Sequence, residues 1–391
     1  MKPLTKKSAL IFLLFSSILI SQNQIEVGCG TTLNNQSVAY LKSLKPILKS
    51  FEQDFKRKQF SKKNTSSKSF YQIPIKVHII RSTDSSNELD VYDLENAIEN
   101  LNTIYSEALM SFYVYQGFDF IDNSDYVHFK KGDEEKLTKT NYIPGIINIY
   151  FTDYIENDSG SSICGYSVNK ENSHIIVMKN GCASNDSSLV HEMGHVFSLM
   201  HTHGPSNTEM TSELVNGSNC DTDGDGICDT PADPRLSGSK IDNFCGYIGN
   251  ETDANGDLFK PDTENIMSYS RKACRNHFTP DQLARMYAYF HADKNGFMQS
   301  ENGIEINEDH SENIELSQIS VYPNPVSNDM IYLKNSQTFN SLEYQITNLQ
   351  GQILSKGNIL NGKLSVKALS SGSYLLLLIN NNSKTVKQFI K

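Results

Sequence analysis

The spacing of apolar residues predicts a domain of mixed strands and helices over most of the chain. Ile73, Ile75, Val77 and Ile79 alternate with other residues, which is typical of a strand. Residues 89–110 carry apolar side chains three and four positions apart, which indicates an amphipathic helix. Further strands are predicted at residues 111–115, 146–151 and 174–178.

Two more helices flank a long irregular stretch. One begins near Asp186 or Ser187, which both suit the N-cap position, and the other follows Thr279-Pro280. Residues 204–263 between them are rich in Asp, Gly and Asn, so we expect a loop region without regular structure. The predicted fold class is α+β, with a twisted mixed sheet in a domain over residues 71–298.

The residues before this domain show two patterns. Lysines precede an apolar run at 9–20 and polar residues follow it, so residues 1–21 are predicted to be a signal peptide. An uncleaved membrane anchor is the alternative, and a lipoprotein at Cys29 is disfavoured because polar residues separate Cys29 from the apolar run. Residues 22–70 are polar and are interpreted as a propeptide or flexible leader, with one short amphipathic helix within 41–55.

After the domain the composition changes twice. Residues 299–317 are acidic and without periodicity, which indicates a linker. Residues 318–391 alternate short apolar runs with Asn, Gly and Ser turns, which is typical of a small all-β sandwich. Its strands are predicted at residues 331–333, 342–347, 352–354, 373–378 and 385–390.

The charge balance narrows the class of partner. The chain has 45 acidic and 35 basic residues and a net charge of −10. This balance argues against a nucleic-acid partner, which requires a basic face, and suits a protein that binds hard cations. Beyond the N-terminal run no stretch is long enough to cross a membrane, so none is expected in the mature chain.

The cysteines predict disulfides in an exported chain. Six of the seven fall in one region: Cys164, Cys182, Cys220, Cys228, Cys245 and Cys274. Six cysteines allow fifteen pairings. Cys164 with Cys182 is preferred because the two flank the strand predicted at 174–178, and Cys29 is left over.

A metal-binding motif stands in the middle of the chain. His191 and His195 are four residues apart on a predicted helix, so both rings can point at one ion. Glu192 lies beside them and can accept a proton from water, and His201 can supply a third imidazole. Three ligands leave a fourth position open, which predicts one catalytic Zn²⁺. There are two alternatives. The HExxH pattern could arise by chance, or Glu213 could be the third ligand in place of His201.

The longer segment resembles a known family. His191–His201, read as HEMGHVFSLMH, resembles the metzincin motif HExxHxxGxxH, and NIMSY at 265–269 resembles the Met-turn. Residues 224–231 and 274–286 are similar to the pappalysin family. The resemblance implies a metzincin-type fold and zinc on the three histidines. It implies Glu192 as the general base, Met267 as a hydrophobic base beneath the metal, and Tyr269 as a group that stabilises the tetrahedral intermediate.

One position departs from the family pattern. Ser198 stands where the motif has a glycine that normally adopts a left-handed conformation. Either Ser198 tolerates the strain or the helix ends differently. His203 is a spare ligand candidate, interpreted as solvated or supporting.

The irregular region also offers calcium ligands. Asp221, Asp223 and Asp225 alternate around Gly224, as in the first half of a calcium loop. The twelfth position is Ala232 rather than Glu, so the loop is no complete EF-hand, and Asp229 with Asp233 would close a different cage. A second candidate is formed by Asp253, Asn255 and Asp257. The resemblance implies structural Ca²⁺ here, and a solvated acidic loop is the alternative.

Cys29 falls within the expected propeptide, in Cys29-Gly30-Thr31. A propeptide thiolate can occupy the open metal position and keep an enzyme latent, and the arrangement is similar to the cysteine switch described for some pappalysin relatives. The alternative is an incidental thiol that leaves with the leader.

The tail resembles the C-terminal sorting domain of the type IX secretion system. The resemblance is carried by VYPNP at 321–325, NLQGQ at 348–352 and LSSGSY at 369–374. It implies a Bacteroidetes-like Gram-negative source, the type IX machinery as partner, and a secreted or cell-surface protein. A carbohydrate-binding or adhesive domain is the alternative.

These patterns lead to one functional prediction. The chain is expected to be a secreted zinc metalloendopeptidase that hydrolyses peptide bonds in extracellular proteins. The alternative from another class is a non-catalytic surface protein or adhesin that keeps its metals for stability. An intact Glu192 argues against the alternative, because a structural site has no need of a base.

Overall fold

The computed structural model describes residues 28–62, 70–84, 89–170, 173–185, 187–292, 316, 319–322, 324–326, 329–334, 342–359, 363–380 and 383–391. The chain divides into two compact units that meet in sequence near residue 305. The predicted signal peptide and nearly all of the predicted linker lie outside the described residues. Those two segments, and the domain boundaries, therefore stay predictions.

A mixed sheet organises the first unit, which confirms the predicted fold class. Its strands are β1 (Tyr71–Arg81), β2 (Met110–Val114), β3 (Asp119–Asp122), β5 (Ile147–Thr152), β7 (Gly165–Lys170) and β8 (Ser173–Lys179), and the short pair β4 (His128–Lys130) and β6 (Tyr154–Glu156) lies apart. The order is β2-β1-β5-β8-β7, and β3 pairs with the second half of β1. All pairs are parallel except β7 with β8.

Strand β1 is more deeply buried than its alternation predicted. Its apolar residues are inaccessible, but Lys76 and His78 on the other face are buried as well. The His78 ring lies 2.7 Å from Asp119 Oδ2 and 3.1 Å from Asn148 Oδ1, and Lys76 Nζ donates to the Gly117 carbonyl at 3.0 Å. Hydrogen bonds thus compensate the burial of polar groups on a central strand.

Five α-helices lie within the described residues of the first unit: α1 (Asn35–Lys62), α2 (Val91–Tyr105), α3 (Glu134–Asn141), α4 (Ser188–Val196) and α5 (Pro280–Ala292). Helix α2 corresponds to the predicted amphipathic helix and begins at Asp90, whose side chain accepts from Tyr92 N. Helix α4 carries the histidine motif, and α5 starts at Pro280 as expected.

Helix α1 is longer and better anchored than the leader interpretation suggested. Leu48 and Phe55 are buried, and the Phe55 ring packs 5.1 Å from that of Tyr287 on α5. Arg285 Nε lies 2.6 Å from Glu52 Oε1. Residues 35–62 are therefore a docked helix and not a flexible leader.

The region 204–263 lacks regular structure except for a 3-10 turn at Gly238–Lys240, as predicted. Disulfides tie this region together: Cys220 with Cys228 and Cys245 with Cys274. Cys164 pairs with Cys182, which was the preferred pairing from the sequence. Cys29 is the free cysteine among the described residues.

The second unit consists of two antiparallel sheets around one core. The strands are β9 (Ser320–Tyr322), β10 (Met330–Lys334), β11 (Leu342–Asn348), β12 (Ile353–Ile359), β13 (Lys363–Ser365), β14 (Ser373–Asn380) and β15 (Ser383–Ile390). One sheet has the order β13-β10-β9 and the other β12-β11-β14-β15. Ile331, Leu376 and Phe389 meet in the shared core, which confirms the predicted sandwich. No helix that the structure describes has the length and apolarity needed to span a membrane.

Candidate metal centre

Helix α4 holds its histidines against the sheet. Asn185 caps the helix, since its Oδ1 accepts from Ser188 N at 2.8 Å. Ser187 occupies the N-cap position, but its hydroxyl donates to the Lys272 carbonyl instead, at 3.1 Å. Asp186, the other predicted cap, lies outside the described residues. Every residue of α4 is buried, so the helix presents its polar side chains to an interior site.

The structure brings the three predicted ligands together. The ring centroids of His195 and His201 are 4.5 Å apart, and that of His191 lies 4.9 Å from His195 and 5.3 Å from His201. Cys29 joins them, with Sγ 3.6 Å from His195 Nε2. One ligand atom of each of these four residues lies within 4.8 Å of the others. We call these four residues the histidine cluster.

Backbone carbonyls fix the orientation of two rings. His191 Nδ1 lies 2.7 Å from the Ile266 carbonyl, and His195 Nδ1 lies 2.8 Å from the Leu199 carbonyl. A carbonyl only accepts, so each Nδ1 carries the proton and each Nε2 turns a lone pair inward. Burial lowers the pKa of all three histidines, to about 4 for His195, so the rings are neutral at physiological pH.

The donor set fits a metal ion. His191 Nε2 is buried and has no hydrogen-bond partner among the described residues. Neutral imidazole nitrogens that converge in a buried space are the donors that divalent transition metals prefer. The alternative third ligand, Glu213, is not in the cluster, because its carboxylate lies against Gly224 instead.

Ser198 resolves the question at the end of the helix. Its φ is +70°, so the serine adopts the left-handed conformation that the motif's glycine would adopt. Leu199 N donates to the Gly194 carbonyl at 3.0 Å, which closes the helix and sends the chain back toward His201. The turn is therefore kept, at a cost in strain of about 1 kcal/mol.

Met267 lies against α4, and its implied place beneath a metal stays a prediction. A Cβ atom added to Gly194 would meet the Met267 sulfur at 2.6 Å, so a glycine is required for this close approach. Asn265 Oδ1 accepts from Met267 N at 2.9 Å and shapes the turn. The Met267 carbonyl accepts from Thr202 N at 3.3 Å, which joins the turn to the segment after His201.

Glu192 lies beside the cluster and is buried. Burial raises the pKa of its carboxyl to about 7. The Thr31 hydroxyl donates to Glu192 Oε2 at 2.9 Å. Sequence reasoning missed Thr31, since nothing except its place two residues after Cys29 distinguishes it.

Residues 28–31, which we call the blocking segment, run beside β7. Gly30 N donates to the Gly165 carbonyl at 2.8 Å, and Cys164 N donates to the Gly28 carbonyl at 3.2 Å. Ser167 N donates to Thr31 Oγ1 at 2.8 Å. Burial and the Glu192 charge raise the pKa of the Cys29 thiol. A divalent cation among the imidazoles would supply the positive charge that favours the thiolate.

Two further aromatic side chains line the site. Tyr269 Oη donates to the Cys29 carbonyl at 3.4 Å, and its ring lies 4.5 Å from that of His201. His203 is buried and stacks on His201 at 5.1 Å, and burial lowers its pKa to about 3. His203 is not in the histidine cluster, so of the two roles considered for it the buried, supporting one fits.

The predicted calcium residues are only partly brought together. Asp225 is buried beside Glu213, and burial raises the pKa of each carboxyl to about 8. Asp221 is exposed, while Asp223 accepts from the Ser212 hydroxyl at 2.5 Å. Asp229 instead accepts from Thr279 Oγ1 at 2.7 Å, at the start of α5.

The second calcium candidate is built as a turn. Asp253 Oδ1 accepts from Asn255 N at 2.8 Å and from Asp257 N at 2.9 Å. Its other oxygen accepts from Val215 N at 2.9 Å. These bonds hold the turn through the backbone, so calcium at this second position stays a prediction.

Comparisons with known proteins agree with this geometry. Residues 148–291 match the peptidase family model described as pregnancy-associated plasma protein-A, and residues 320–391 match the secretion system C-terminal sorting domain. An extracellular metalloprotease of Arthroderma benhamiae is 24% identical over 227 residues, which cover 54% of this chain and 68% of that protein. One of Colletotrichum graminicola is 28% identical over 179 residues, 41% of this chain and 55% of that protein.

A solved structure also aligns. That of a Tannerella forsythia promirolysin mutant covers 69% of this chain and 95% of its own, with 20% identity and a TM-score of 0.44. The two family matches, together with the histidine cluster, define this protein as a secreted metalloprotease. More particularly, residues 148–291 match a pappalysin-type peptidase domain and residues 320–391 match the sorting domain of the type IX secretion system, in agreement with the resemblance seen in the sequence.

Proposed function

We propose that the chain is the latent form of a zinc endopeptidase that hydrolyses proteins outside the cell. The observation that carries the proposal is the convergence of three buried, neutral imidazoles next to the buried carboxyl group of Glu192. His191, His195 and His201 would hold the metal. Zinc suits three imidazoles and hydrolytic chemistry better than calcium or magnesium, which prefer oxygen ligands.

The chain's own groups divide the work of hydrolysis. When bound, zinc supplies a Lewis acid that polarises the scissile carbonyl and acidifies water. Glu192 accepts a proton from the attacking water and passes it to the leaving amine, a role favoured by a carboxyl pKa near neutral. The Tyr269 hydroxyl, which now donates to the Cys29 carbonyl, would donate to the substrate's carbonyl oxygen. Met267 supports α4 from below and touches no substrate.

The blocking segment would keep the enzyme inactive. Cys29 Sγ, 3.6 Å from His195 Nε2, would take the place of a fourth ligand, and the Thr31 hydroxyl, which donates to Glu192, would engage the proposed base. The backbone of the blocking segment forms hydrogen bonds with Cys164 and Gly165, so the segment covers the start of β7 beside the histidine cluster. Access by substrate therefore requires that this segment leave, which favours a cysteine switch over an incidental thiol.

Calcium would stabilise the loop over residues 213–225, which we call the acidic loop, and would take no part in the reaction. Asp225 Oδ2 and Glu213 Oε2 are both buried without a hydrogen-bond partner among the described residues. A hard cation between them would satisfy both oxygens.

The sorting domain would deliver the protein to the type IX machinery of a Bacteroidetes-like bacterium.

The proposal is tested on an activated chain prepared in a defined way. The full chain is folded with its leader and then cleaved with trypsin, for which Lys62, Lys63 and Lys68 offer sites between α1 and β1. The leader, which stays docked on α5 after the cut, is released by dilution and then removed by size-exclusion chromatography at low protein concentration. Casein hydrolysis and bound zinc are measured for this activated chain and for Glu192→Ala and His201→Ala.

Each variant has a separate expected result. Glu192→Ala should keep its zinc and lose hydrolysis by about 10²- to 10⁴-fold. His201→Ala should lose both zinc and hydrolysis. Hydrolysis by Glu192→Ala at the rate of the unaltered chain would refute Glu192 as the base, whereas an unaltered chain that binds zinc but hydrolyses no casein would favour an adhesin. Zinc retained at full affinity by His201→Ala would show that the ligand set is wrong.

A further inference from the structure

A cavity of about 260 Å³ opens beside the histidine cluster. Its lining includes the proposed zinc ligand His191, the carboxyl group of Glu192 and the Tyr269 side chain. Arg235, Lys272 and Arg275 line the rest of it, together with small polar residues and backbone. A substrate side chain next to the scissile bond would enter this cavity, because the cavity shares residues with the reacting centre.

The cavity has an unusual balance of charge for a site that accepts peptides. Three of its lining side chains are cationic, and the one carboxylate among them is the base, Glu192. Arg275 is fixed in position, since its Nη2 donates to Ser187 Oγ at 3.0 Å and its Nη1 to the Ser268 carbonyl at 3.4 Å. Lys272 Nζ lies 2.8 Å from Cys164 Sγ, so the disulfide holds that amine at the cavity wall.

Arg235 contributes the second guanidinium group of the cavity, and its backbone is strained. It adopts φ +68°, a left-handed conformation that a side-chain-bearing residue rarely takes. Its Nε is buried and has no hydrogen-bond partner among the described residues. A buried guanidinium nitrogen without a partner is costly, and an anion in the cavity would relieve that cost.

We propose that this cavity selects an acidic side chain, Asp or Glu, adjacent to the scissile bond. The inference rests on the proposed endopeptidase function and names its substrate class. A carboxylate entering the cavity exchanges water for two guanidinium groups and an ammonium group, which can form charge-assisted hydrogen bonds. A Lys or Arg side chain would meet the same three cations and be rejected by repulsion. Gly28 and Cys29 of the blocking segment line part of the cavity, so selection operates only after the leader has left.

Binding is measured first, without turnover. The activated chain with Glu192→Gln is titrated by calorimetry with three peptides that are identical except for Glu, Gln or Lys beside the intended cleavage point. The Glu peptide should bind about tenfold more tightly than the Gln peptide, which corresponds to 1.4 kcal/mol, and the Lys peptide most weakly. The charge reversal Lys272→Glu leaves the two guanidinium groups in place and should bring the affinities of the three peptides close together. Lys139→Glu, an equal change of charge on the exposed surface of α3, should leave the three affinities unchanged.

Turnover then separates this inference from the proposed function. The activated chain with Glu192 intact should cleave a mixed peptide library with Asp or Glu enriched at one position flanking the bond, as read by mass spectrometry. Cleavage without such enrichment, or equal binding of the three peptides, overturns the acidic preference and leaves the endopeptidase proposal standing. Tight, Lys272-dependent binding of the Glu peptide without any cleavage supports the cavity assignment and refutes the endopeptidase.

Discussion

The histidine cluster and the acidic loop around Asp225 both bury ionisable groups, but they balance the cost in opposite ways. Burial makes the imidazoles neutral, and backbone carbonyls of residues 199 and 266 orient two of them. In the acidic loop, Glu213 and Asp225 carry the same charge when ionised, and burial raises the pKa of each to about 8. A metal would therefore bring chemistry to the first region and mainly stability to the second.

The leader meets both regions. Cys29 joins the histidine cluster, and Lys45 on α1 donates through Nζ to the Asp221 carbonyl at the acidic loop. Lys45 also interacts electrostatically with Asp225. Burial lowers the pKa of Lys45, and the negative charge of Asp225 acts in the opposite direction. One segment thus places a thiol in the first region and a cation in the second.

The largest expected effect concerns the first region and the full chain before cleavage. Cys29→Ser removes the sulfur and should raise the initial rate of peptide hydrolysis about a hundredfold, because the thiolate is the stronger ligand. Thr31→Val frees Glu192 and should raise the rate about tenfold, the worth of a hydrogen bond to a charged group. Thr32→Val is the control, since Thr32 bonds to Lys131 instead. Equal rates for Thr31→Val and Thr32→Val would show that the Thr31 hydroxyl does not contribute to inhibition by the blocking segment.

The second prediction concerns the acidic loop and pH. The folded pKa of Asp225, about 8, is raised above that of the unfolded chain, so the folded state binds more protons between about pH 4 and pH 8. Stability without calcium should therefore fall as pH rises through this window, by about 4 kcal/mol between pH 5 and pH 8 for this carboxyl group. Urea unfolding at pH 5 and pH 8 measures the change.

Calcium and a variant sharpen this pH test. Asp225→Asn should reduce the dependence to the part that Glu213 contributes, while Asp221→Asn, at an exposed position, should leave it unchanged. Millimolar calcium should restore stability at pH 8 in the unaltered chain and do less in Asp225→Asn. A pH profile that is the same for all three proteins would mean that the acidic loop is not under charge strain.

The third prediction returns to the support of the histidine cluster. Gly194→Ala places a methyl group 2.6 Å from the Met267 sulfur, so the turn must shift. Overpacking should cost about 2 kcal/mol in unfolding free energy, although alanine favours a helix. Gly181→Ala is the control, because a Cβ there meets nothing within 4 Å. Unfolding by urea compares them, and an equally stable Gly194→Ala would show that Met267 has room to move.

The smallest expected effect is a gain in stability. Ser198→Gly relieves the left-handed strain at φ +70° and should stabilise the chain by about 1 kcal/mol, less the entropy that glycine adds to the unfolded state. Zinc content should not change, because the turn is already formed. Ser218→Gly, at an exposed loop position outside the left-handed residues, should bring no gain. A loss of stability in Ser198→Gly would mean that the serine side chain contributes more than its strain costs.

The features that the sequence predicted correctly depend on residues close together in the chain, and the features it missed depend on contacts between distant residues. The spacing of His191, His195 and His201 is a short-range property, because one helix and one turn place all three rings. The contact of Thr31 with Glu192 spans 161 residues and leaves no trace in local patterns. The same holds for Lys45 at Asp221, 176 residues away, and for the burial of His78, which depends on what covers the sheet.

The docking of α1 on α5 has a consequence for how activation proceeds in time. Lys56 lies 2.5 Å from Asp281, and Lys58 Nζ donates to the Tyr287 hydroxyl at 2.7 Å, in addition to the buried Phe55. Cutting the chain between α1 and β1 breaks none of these contacts. A nicked molecule would thus remain its own inhibitor complex, and the appearance of activity would follow the slow release of a bound peptide. Release would be more complete on dilution and would be reversed when the peptide is returned.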